Sequence, residues 1–342
     1  MKSKIFIPEL NSLRFFAAIA IVIFHFGKWS IPFNEGFLNN YALSFNLAVS
    51  FFFVLSGFIM ATVYNNLKTF SFKETFKFYL KRFVRIVPLY ILALLLTALF
   101  INQDFSLTEF FLSLFFIQAW TSEYALSLNF TGWSLAVEMF FYLLFPFIFP
   151  IIANRKKLFE FTFIFWALSN LTIFILLSSN YDIAFIKYFP LLHLNEFLIG
   201  IYAGLVYLKG INKKELLLFF GSFIFLFFYL PLIPEFNAAH HNGLLAPIFA
   251  ILILGASKLK TIILSNKLLV KLGDASYGIY ILQFPIYLIV YKLYNDFHVF
   301  DFLREEGRFY IYLIILILIS YLSSITFEKW MKNIFLKRLH KA

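Results

Sequence analysis

Apolar runs of bilayer-spanning length recur along the whole of this 342-residue chain. A helix needs about 20 residues to cross a hydrocarbon core about 30 Å thick, and windows of that kind follow one another from near residue 10 to near residue 327. Hydrophobic residues make up 62% of the chain and charged residues 14%, whereas soluble domains are about 45–50% apolar. The sequence therefore predicts an all-α fold, a polytopic transmembrane helical bundle.

About ten spans are predicted. They lie near residues 10–29, 44–64, 84–101, 133–153, 158–178, 186–208, 215–233, 244–257, 276–294 and 309–327. The apolar stretch 107–120 contains Ser113 and Gln118 and is too short for a crossing, so we expect one re-entrant or interfacial helix there. No linker divides the chain, and we expect a single integral membrane domain over residues 1–342 with no soluble extracytoplasmic domain.

The basic residues set the predicted orientation. With ten crossings, most of the 29 Lys and Arg fall in loops on one side, and the loops opposite are acidic. The positive-inside rule makes the basic side cytoplasmic, so both termini are expected in the cytoplasm. The basic loops include Lys2, Lys4, Lys68 to Arg85, Arg155 to Lys157, Lys209 to Lys214, Lys258 to Lys271 and the C-terminal tail.

Several classes of function are disfavoured by composition. The net charge of +11 is spread over short loops and does not form one polar face, so it does not indicate nucleic-acid binding. The chain has no cysteine, which excludes disulfides and thiolate metal sites. His240 and His241 have no obvious carboxylate spacing and are expected to be a solvated surface pair, and no metal is predicted.

Two polar residues interrupt the first span. An Arg within the bilayer costs about 3 kcal/mol on insertion scales, so Arg14 either snorkels to the headgroups or faces a polar cavity. His25 follows eleven residues later, which at about 100° per residue returns to within about 20° of the same helical face. This alignment favours a cavity lined by both residues.

Glu138 is the second anomaly. It shares a stripe of the fourth span with Ser134 and Tyr142 at i, i+4 spacing, and the predicted topology places it at the depth of His25. A carboxylate beside an imidazole can produce a general base for a hydroxyl nucleophile in acyl or phosphoryl transfer. The same pair could instead be a proton relay in a transporter, and the residues leave both classes open.

Lys81, Arg82 and Arg85 crowd the cytoplasmic end of the third span. They are either positive-inside anchors or, at the mouth of a cavity, ligands for the phosphates of a nucleotide, because Arg binds phosphate bidentately.

Four segments together resemble the membrane-bound acyltransferase family 3, polytopic O-acyltransferases of bacterial surface polysaccharides and related acceptors. They are LNSLRFFAAIAIVIFHF, with the family's Arg and His at Arg14 and His25; NLAVSFFFVLSGFIM, from Asn46 to Met60; KRFVRIVPLY, from Lys81 to Tyr90; and GWSLAVEMFFYLLFP, from Gly132 to Pro146. A weaker fifth segment, LGDASYGIYILQFPIY, has Gln283 where relatives often have a His. The resemblance covers essentially the whole chain.

The resemblance implies an acyl-CoA co-substrate, most often acetyl-CoA, that enters from the cytoplasm, and an acceptor hydroxyl on an exported or lipid-linked glycan. It implies a multi-pass protein of the bacterial inner membrane, with His25, Arg14 and Glu138 as catalytic residues and Arg82, Arg85 and Lys81 on the acyl-CoA phosphates. We expect His25, oriented by Glu138, to deprotonate the acceptor. A direct ternary transfer is simplest, and an acyl-enzyme on Ser134 or His25 stays open. The expected pocket-lining residues are Trp133, Ser134, Tyr142, Asn46 and Gln283.

Overall fold

The computed structural model describes residues 6–67, 69–101, 103–153, 157–210, 213–233, 237–259, 261–297 and 305–339. Every regular element among these residues is a helix, which confirms the all-α prediction. Of the basic loop residues that define the predicted orientation, seven lie outside the described residues: Lys2, Lys4, Lys68, Arg155, Lys156, Lys260 and Lys341.

Fifteen α-helices follow one another among the described residues. They are α1 (Pro8–Val22), α2 (Gly36–Ser44), α3 (Ala48–Tyr64), α4 (Phe72–Phe100), α5 (Leu107–Leu114), α6 (Gly132–Ala153), α7 (Leu158–Ser178), α8 (Ile183–Tyr188), α9 (Leu194–Lys209), α10 (Lys213–Tyr229), α11 (Ala246–Ala256), α12 (Lys267–Asp274), α13 (Ser276–Phe297), α14 (Glu305–Ile325) and α15 (Phe327–Leu339). Short 3₁₀ turns precede α3 at Phe45–Leu47 and α9 at Pro190–His193, and π-helical turns occupy Ile23–Gly27 and His240–Leu244.

Seven helical segments of the described chain are long and apolar enough to cross a bilayer: Pro8–Gly27, Gly36–Tyr64, Phe72–Phe100, Gly132–Ala153, Leu158–Ser178, Pro190–Lys209 and Gly307–Phe335. The shorter apolar helices Phe219–Leu232 and Ala246–Ala256, and the 22-residue α13, overlap the remaining predicted spans. The fold is that of a multi-pass helical membrane protein, and a count of ten crossings stays a prediction. Helix α5 has eight residues, too few to cross a bilayer.

Helix α4 begins earlier than the sequence predicts. Ser71 accepts a hydrogen bond from the Glu74 backbone N–H, and the Glu74 carboxylate accepts one from the Ser71 backbone N–H, which forms a capping box. The helix then continues for 29 residues to Phe100, about 43 Å at 1.5 Å per residue. The basic residues of the KRFVR motif therefore lie on successive turns of α4, and the helix extends twelve residues before the predicted span near 84–101.

Glycines bring α3 and α9 into backbone contact. A Cβ added to Gly57 would lie 2.1 Å from the carbonyl oxygen of Phe197, and one added to Gly200 would lie 2.0 Å from that of Val54. Only hydrogen fits at these two positions, as in close transmembrane helix pairs. The contact fixes α3, which carries Ser56, against α9.

Candidate active site

Two adjoining cavities lie among α1, α3, α4, α6 and α13. The smaller, here called the central cavity, has a volume of about 100 Å³. The larger, here called the basic cavity, has a volume of about 730 Å³ and reaches α15. Arg14, Arg82 and Arg85 line both cavities, so the two spaces meet at these three guanidinium groups.

Helix α6 supplies the polar face of the central cavity. Ser134, Glu138 and Tyr142 follow at i, i+4 spacing and all line it. The Ser134 hydroxyl is 2.7 Å from the Tyr280 hydroxyl of α13, and the Tyr142 ring lies beside Arg82 of α4. The cavity thus has a serine end, at Ser134 and Tyr280, and an arginine end about 12 Å further along α6.

Glu138 lies between these ends. One carboxylate oxygen accepts hydrogen bonds from the Tyr142 hydroxyl and from the Ser56 hydroxyl at 3.2 Å. Hydrogen bonds to a charged acceptor are about twice as strong as neutral ones. The two donors therefore hold the carboxylate in a fixed position within the cavity wall.

The arginine end offers hydrogen-bond donors to a ligand. The Arg82 Nε is buried and has no hydrogen-bond partner among the described residues. Arg14 contacts a neighbouring side chain, since its Nη1 is 3.5 Å from Asn11 Oδ1. Asn11 Nδ2 in turn donates a hydrogen bond to Asp274 at 2.7 Å. A buried donor without a partner costs about 1–3 kcal/mol, so this end of the cavity fits an anionic or carbonyl group.

The basic cavity carries more positive than negative charge. Its lining includes six cationic and two acidic side chains: Arg14, Lys81, Arg82, Arg85, Lys329, Lys332, Asp274 and Glu328. Helix α15, which packs against α4, contributes Lys329 and Lys332. This surface suits a ligand with several negative charges.

His25 lies in the π-helical turn Ile23–Gly27 and lines neither cavity. Its ring packs edge-on against Phe24 and Phe130, with centroids 4.9 and 4.7 Å apart. The prediction that His25 shares a helical face with Arg14 requires α-helical geometry from residue 14 to residue 25. A π turn closes i→i+5 hydrogen bonds and so holds more residues per turn, which changes the direction of the side chains that it carries.

Glu138 does not orient His25 in this structure. The carboxylate accepts hydrogen bonds from Ser56 and Tyr142, and no hydrogen bond joins it to His25 among the described residues. Matching depth along two helices was the reason to pair them. Depth does not determine which neighbour a side chain faces, and α6 directs Glu138 toward α3.

Three expected pocket residues lie behind the walls of these two cavities. Trp133 packs against Tyr188 and His193 at ring-centroid distances of 5.1 and 5.5 Å. Gln283 is fully buried and donates to the Tyr280 carbonyl at 2.7 Å. Asn46 is buried in the 3₁₀ turn that packs against the π-helical turn of His25.

Several polar residues near the site were missed at the sequence level. Ser56 and Tyr280 bond to cavity residues, and Lys329 and Lys332 line the basic cavity. Only tertiary packing shows these contacts.

The buried pair His193 and Glu196 did have a signal in the sequence. Both are ionisable residues inside the predicted span 186–208, and such residues in membrane spans mark functional sites.

His241 is also buried, with 6% of its surface exposed, so the prediction of a solvated surface pair is wrong for it. It lies outside the spanning helices, and burial lowers its pKa to about 3, with His193 and Lys187 as smaller causes.

The apolar helices and the two cavities define a multi-pass membrane protein with a polar, arginine-lined site. Comparison with known families then gives its class: the sequence model of the acyltransferase 3 family, described as an acyltransferase domain, matches residues 7–328. The chain belongs to this family, which confirms the resemblance.

Three relatives illustrate the match. A Staphylococcus aureus (strain COL) protein whose assignment as an O-acetyltransferase is provisional is 26% identical over 86% of this chain and 53% of its own length. The O-acetyltransferase OatA of Staphylococcus aureus (strain NCTC 8325) is 23% identical over 96% of this chain and 57% of its own. The acyltransferase MdmB of Streptomyces mycarofaciens is 31% identical over 41% and 38%. The chain thus spans about half the length of the curated relatives that match most of it. No solved structure matches.

Proposed function

We propose that this protein is an O-acyltransferase that moves an acyl group, most simply acetyl, from cytoplasmic acyl-CoA to a hydroxyl of an exported or lipid-linked glycan. The observation that carries the proposal is the junction of the two cavities at Arg14, Arg82 and Arg85. A large basic space leads at this junction into a narrow polar one.

The basic cavity is the proposed acyl-CoA site. Coenzyme A carries a pyrophosphate and a 3′-phosphate, and Arg and Lys are the side chains that bind such groups. Lys81, Arg82 and Arg85 on α4 face this cavity together with Lys329 and Lys332 on α15. Ligand phosphates between the two helices would neutralise charges that otherwise repel one another.

The central cavity is the proposed path of the thioester. Its volume of about 100 Å³ suits a thin chain better than a nucleotide. The unpartnered Nε of Arg82 is a ready donor to an amide carbonyl of the pantetheine arm or to the thioester oxygen. Glu138, held by Ser56 and Tyr142, would fix the guanidinium groups by charge, in place of the expected contact with His25.

His25 is the proposed general base. Its neighbour Phe130 belongs to the segment that leads into α6, and Ser134 at the serine end donates to the carbonyl of Thr131 in the same segment. An acceptor hydroxyl between His25 and the serine end would lose its proton to the imidazole as its oxygen attacks the thioester carbon. When the C–S bond breaks, the imidazolium returns that proton to the departing thiolate, so protons balance without a metal.

The proposed setting is the bacterial inner membrane, with both termini in the cytoplasm and the acceptor on the opposite side. The partners are then acyl-CoA, a carbohydrate or other hydroxyl acceptor, and the lipid bilayer. A transporter with a His25–Glu138 relay finds no support in the geometry, because Glu138 accepts its hydrogen bonds from Ser56 and Tyr142.

The test is acetyl-CoA binding and turnover by the purified protein in nanodiscs, with CoA release followed by a thiol reagent. The native chain should bind acetyl-CoA and release CoA faster when a polyol or oligosaccharide acceptor is added. Arg82→Ala should weaken binding, and His25→Ala should abolish turnover while binding persists. A native chain that neither binds nor cleaves acetyl-CoA or longer acyl-CoA would refute the proposal.

A further inference from the structure

His193 and Glu196 form a fully buried pair outside the two cavities. The 3₁₀ turn Pro190–His193 leads directly into α9, which places the two side chains at i, i+3 spacing. His193 Nδ1 is 2.8 Å from Glu196 Oε2. The mechanism proposed above does not use either group.

The hydrogen bonds of the pair fix its protonation. His193 Nε2 is 2.7 Å from the Lys187 carbonyl oxygen, which can only accept, so Nε2 carries a hydrogen. The contact of Nδ1 with Glu196 requires a second hydrogen between them. Whether that proton lies nearer nitrogen or oxygen, the pair has no net charge.

Such a pair is an expensive way to stabilise a core. Desolvation of buried ionisable groups offsets most of their attraction, and apolar residues of similar volume often stabilise a protein as well or better. Glu196 Oε1 has, in addition, no hydrogen-bond partner among the described residues. Stability alone is therefore a poor explanation for ionisable groups at this place.

The imidazole of His193 contacts two side chains that form or adjoin the wall of the central cavity. It packs edge-on against Phe53 of α3, with ring centroids 5.2 Å apart, and in a tilted arrangement against Trp133 of α6, with ring centroids 5.5 Å apart. Phe53 lines the central cavity. Trp133 directly precedes Ser134, whose hydroxyl meets Tyr280 at the serine end. One ring thus touches two of the helices that form this cavity.

We infer that the His193–Glu196 pair positions the serine end of the central cavity, by fixing the His193 ring against Phe53 and Trp133, so that an acceptor hydroxyl is aligned with the thioester. This inference rests on the proposed acyltransferase function. His193 and Glu196 are positioning residues, because neither side chain lines the cavities that a substrate would occupy. They act at the serine end, and the arginine end that would hold acyl-CoA is supported separately, through Asn11 and Asp274.

The deciding experiment compares Glu196→Gln with Glu196→Ala. The amide of Gln can donate a hydrogen bond to His193 Nδ1, while His193 Nε2–H keeps its hydrogen bond to the Lys187 carbonyl oxygen. This variant therefore preserves the ring position without an ionisable carboxyl group. Ala leaves the ring without its anchor. Glu160→Ala, on an exposed position of α7, is the matched control.

Acyl transfer is measured with acetyl-CoA as donor and maltotriose as acceptor probe, in nanodiscs. Glu196→Gln and Glu160→Ala should keep native kinetics. In Glu196→Ala, kcat should fall or the acceptor KM should rise by about tenfold or more, because small misplacements of reacting groups have effects of that size. Its affinity for acetyl-CoA should stay within about twofold of the native value, since the arginine end keeps its own supports.

A second readout does not depend on activity. Trp133 emission is obtained as the difference between each protein and the same protein with Trp133→Phe. It should shift in Glu196→Ala and stay native in Glu196→Gln. If the native chain shows no acyl transfer, the proposed function fails, and this difference still decides whether the pair fixes the Trp133 environment.

Several outcomes would overturn the inference. Native kinetics and native Trp133 emission in Glu196→Ala would show that the pair positions nothing, and equal losses in Gln and Ala would show that the carboxyl group itself is needed. A parallel loss of acetyl-CoA binding would indicate general structural damage. If Glu196→Ala does not yield folded protein, Phe53→Leu breaks the contact from the other side, and native acceptor kinetics in that variant would contradict the inference.

Discussion

The guanidinium carbon of Arg82 lies 5.6 Å from the centre of the Tyr142 ring. This contact joins α4 to α6 where the two cavities meet, and it combines a cation–π attraction with a guanidinium edge left open to a ligand. The same tyrosine donates a hydrogen bond to Glu138. Arg82, Tyr142 and Glu138 therefore form one connected group at the junction.

Arg82→Ala should weaken acetyl-CoA binding about tenfold or more, because a hydrogen bond to a charged group contributes about 1.5–3 kcal/mol. Arg82→Lys should recover only part of the loss, since an ammonium group cannot bind bidentately. Calorimetry in detergent or nanodiscs measures both. Lys77→Ala is the control, because Lys77 is exposed on α4 and lines neither cavity. Equal weakening in Lys77→Ala would assign the effect to overall charge.

Tyr142→Phe should keep the ring beneath Arg82 and remove the hydrogen bond to Glu138. Loss of one donor to a half-buried carboxylate costs about 1.5–3 kcal/mol, so we expect a lower thermal midpoint and slower turnover, with acetyl-CoA affinity less affected than in Arg82→Ala. Ser56→Ala removes the second donor, which lies at 3.2 Å. Losses in Tyr142→Phe and Ser56→Ala that simply add in the double variant would argue against a shared carboxylate, because residues in one network are coupled.

His25→Ala should separate binding from chemistry. General base catalysis contributes about 10²–10⁴-fold, so turnover should fall by at least that factor. Acetyl-CoA affinity should be unchanged, because His25 lines neither cavity. Isothermal binding and single-turnover acyl transfer on the same preparation make the comparison. A variant that keeps native turnover would remove His25 from the mechanism.

Gly57→Ala and Gly200→Ala should each destabilise the protein, since the new methyl groups would meet the backbone oxygens of Phe197 and Val54 at 2.1 and 2.0 Å. Overpacking of this kind costs about 1–3 kcal/mol or more, and the obstacles are main-chain atoms that cannot turn away. Gly221→Ala in α10 is the control, because nothing lies within 4 Å of its added Cβ, and Ala is favoured in a helix by about 0.5–1 kcal/mol. Thermal unfolding in detergent should therefore move in opposite directions. Equal midpoints for the three variants would contradict the close α3–α9 contact.

The sequence predicts the helical class and the helix face of Ser134, Glu138 and Tyr142, because hydrophobic length and i, i+4 spacing are local properties. It does not predict the partner of Glu138. The choice between His25 and Ser56 depends on how the helices pack and rotate against one another, which is a property of the tertiary structure, and on the π turn that carries His25. His193 and Glu196 are recognisable from the sequence as ionisable residues inside a predicted span, whereas their contact with Trp133 and Phe53 depends on tertiary packing.

Because the native chain has no cysteine, its orientation can be tested with single-cysteine variants without first removing any native cysteine. Ser179 follows α7 and Lys209 ends α9, and both are exposed. The positive-inside rule puts the loop at Ser179 outside and the basic loop at Lys209 in the cytoplasm. In intact cells, a membrane-impermeant maleimide should label Ser179→Cys at once and Lys209→Cys only after permeabilisation. The reverse pattern would place the basic cavity, which shares its side of the predicted topology with Lys209, away from cytoplasmic acyl-CoA. The proposed donor would then have no access to its site in the cell. Binding of acetyl-CoA to the purified protein would be unaffected. Labelling and binding together therefore decide between a wrong orientation and a wrong donor.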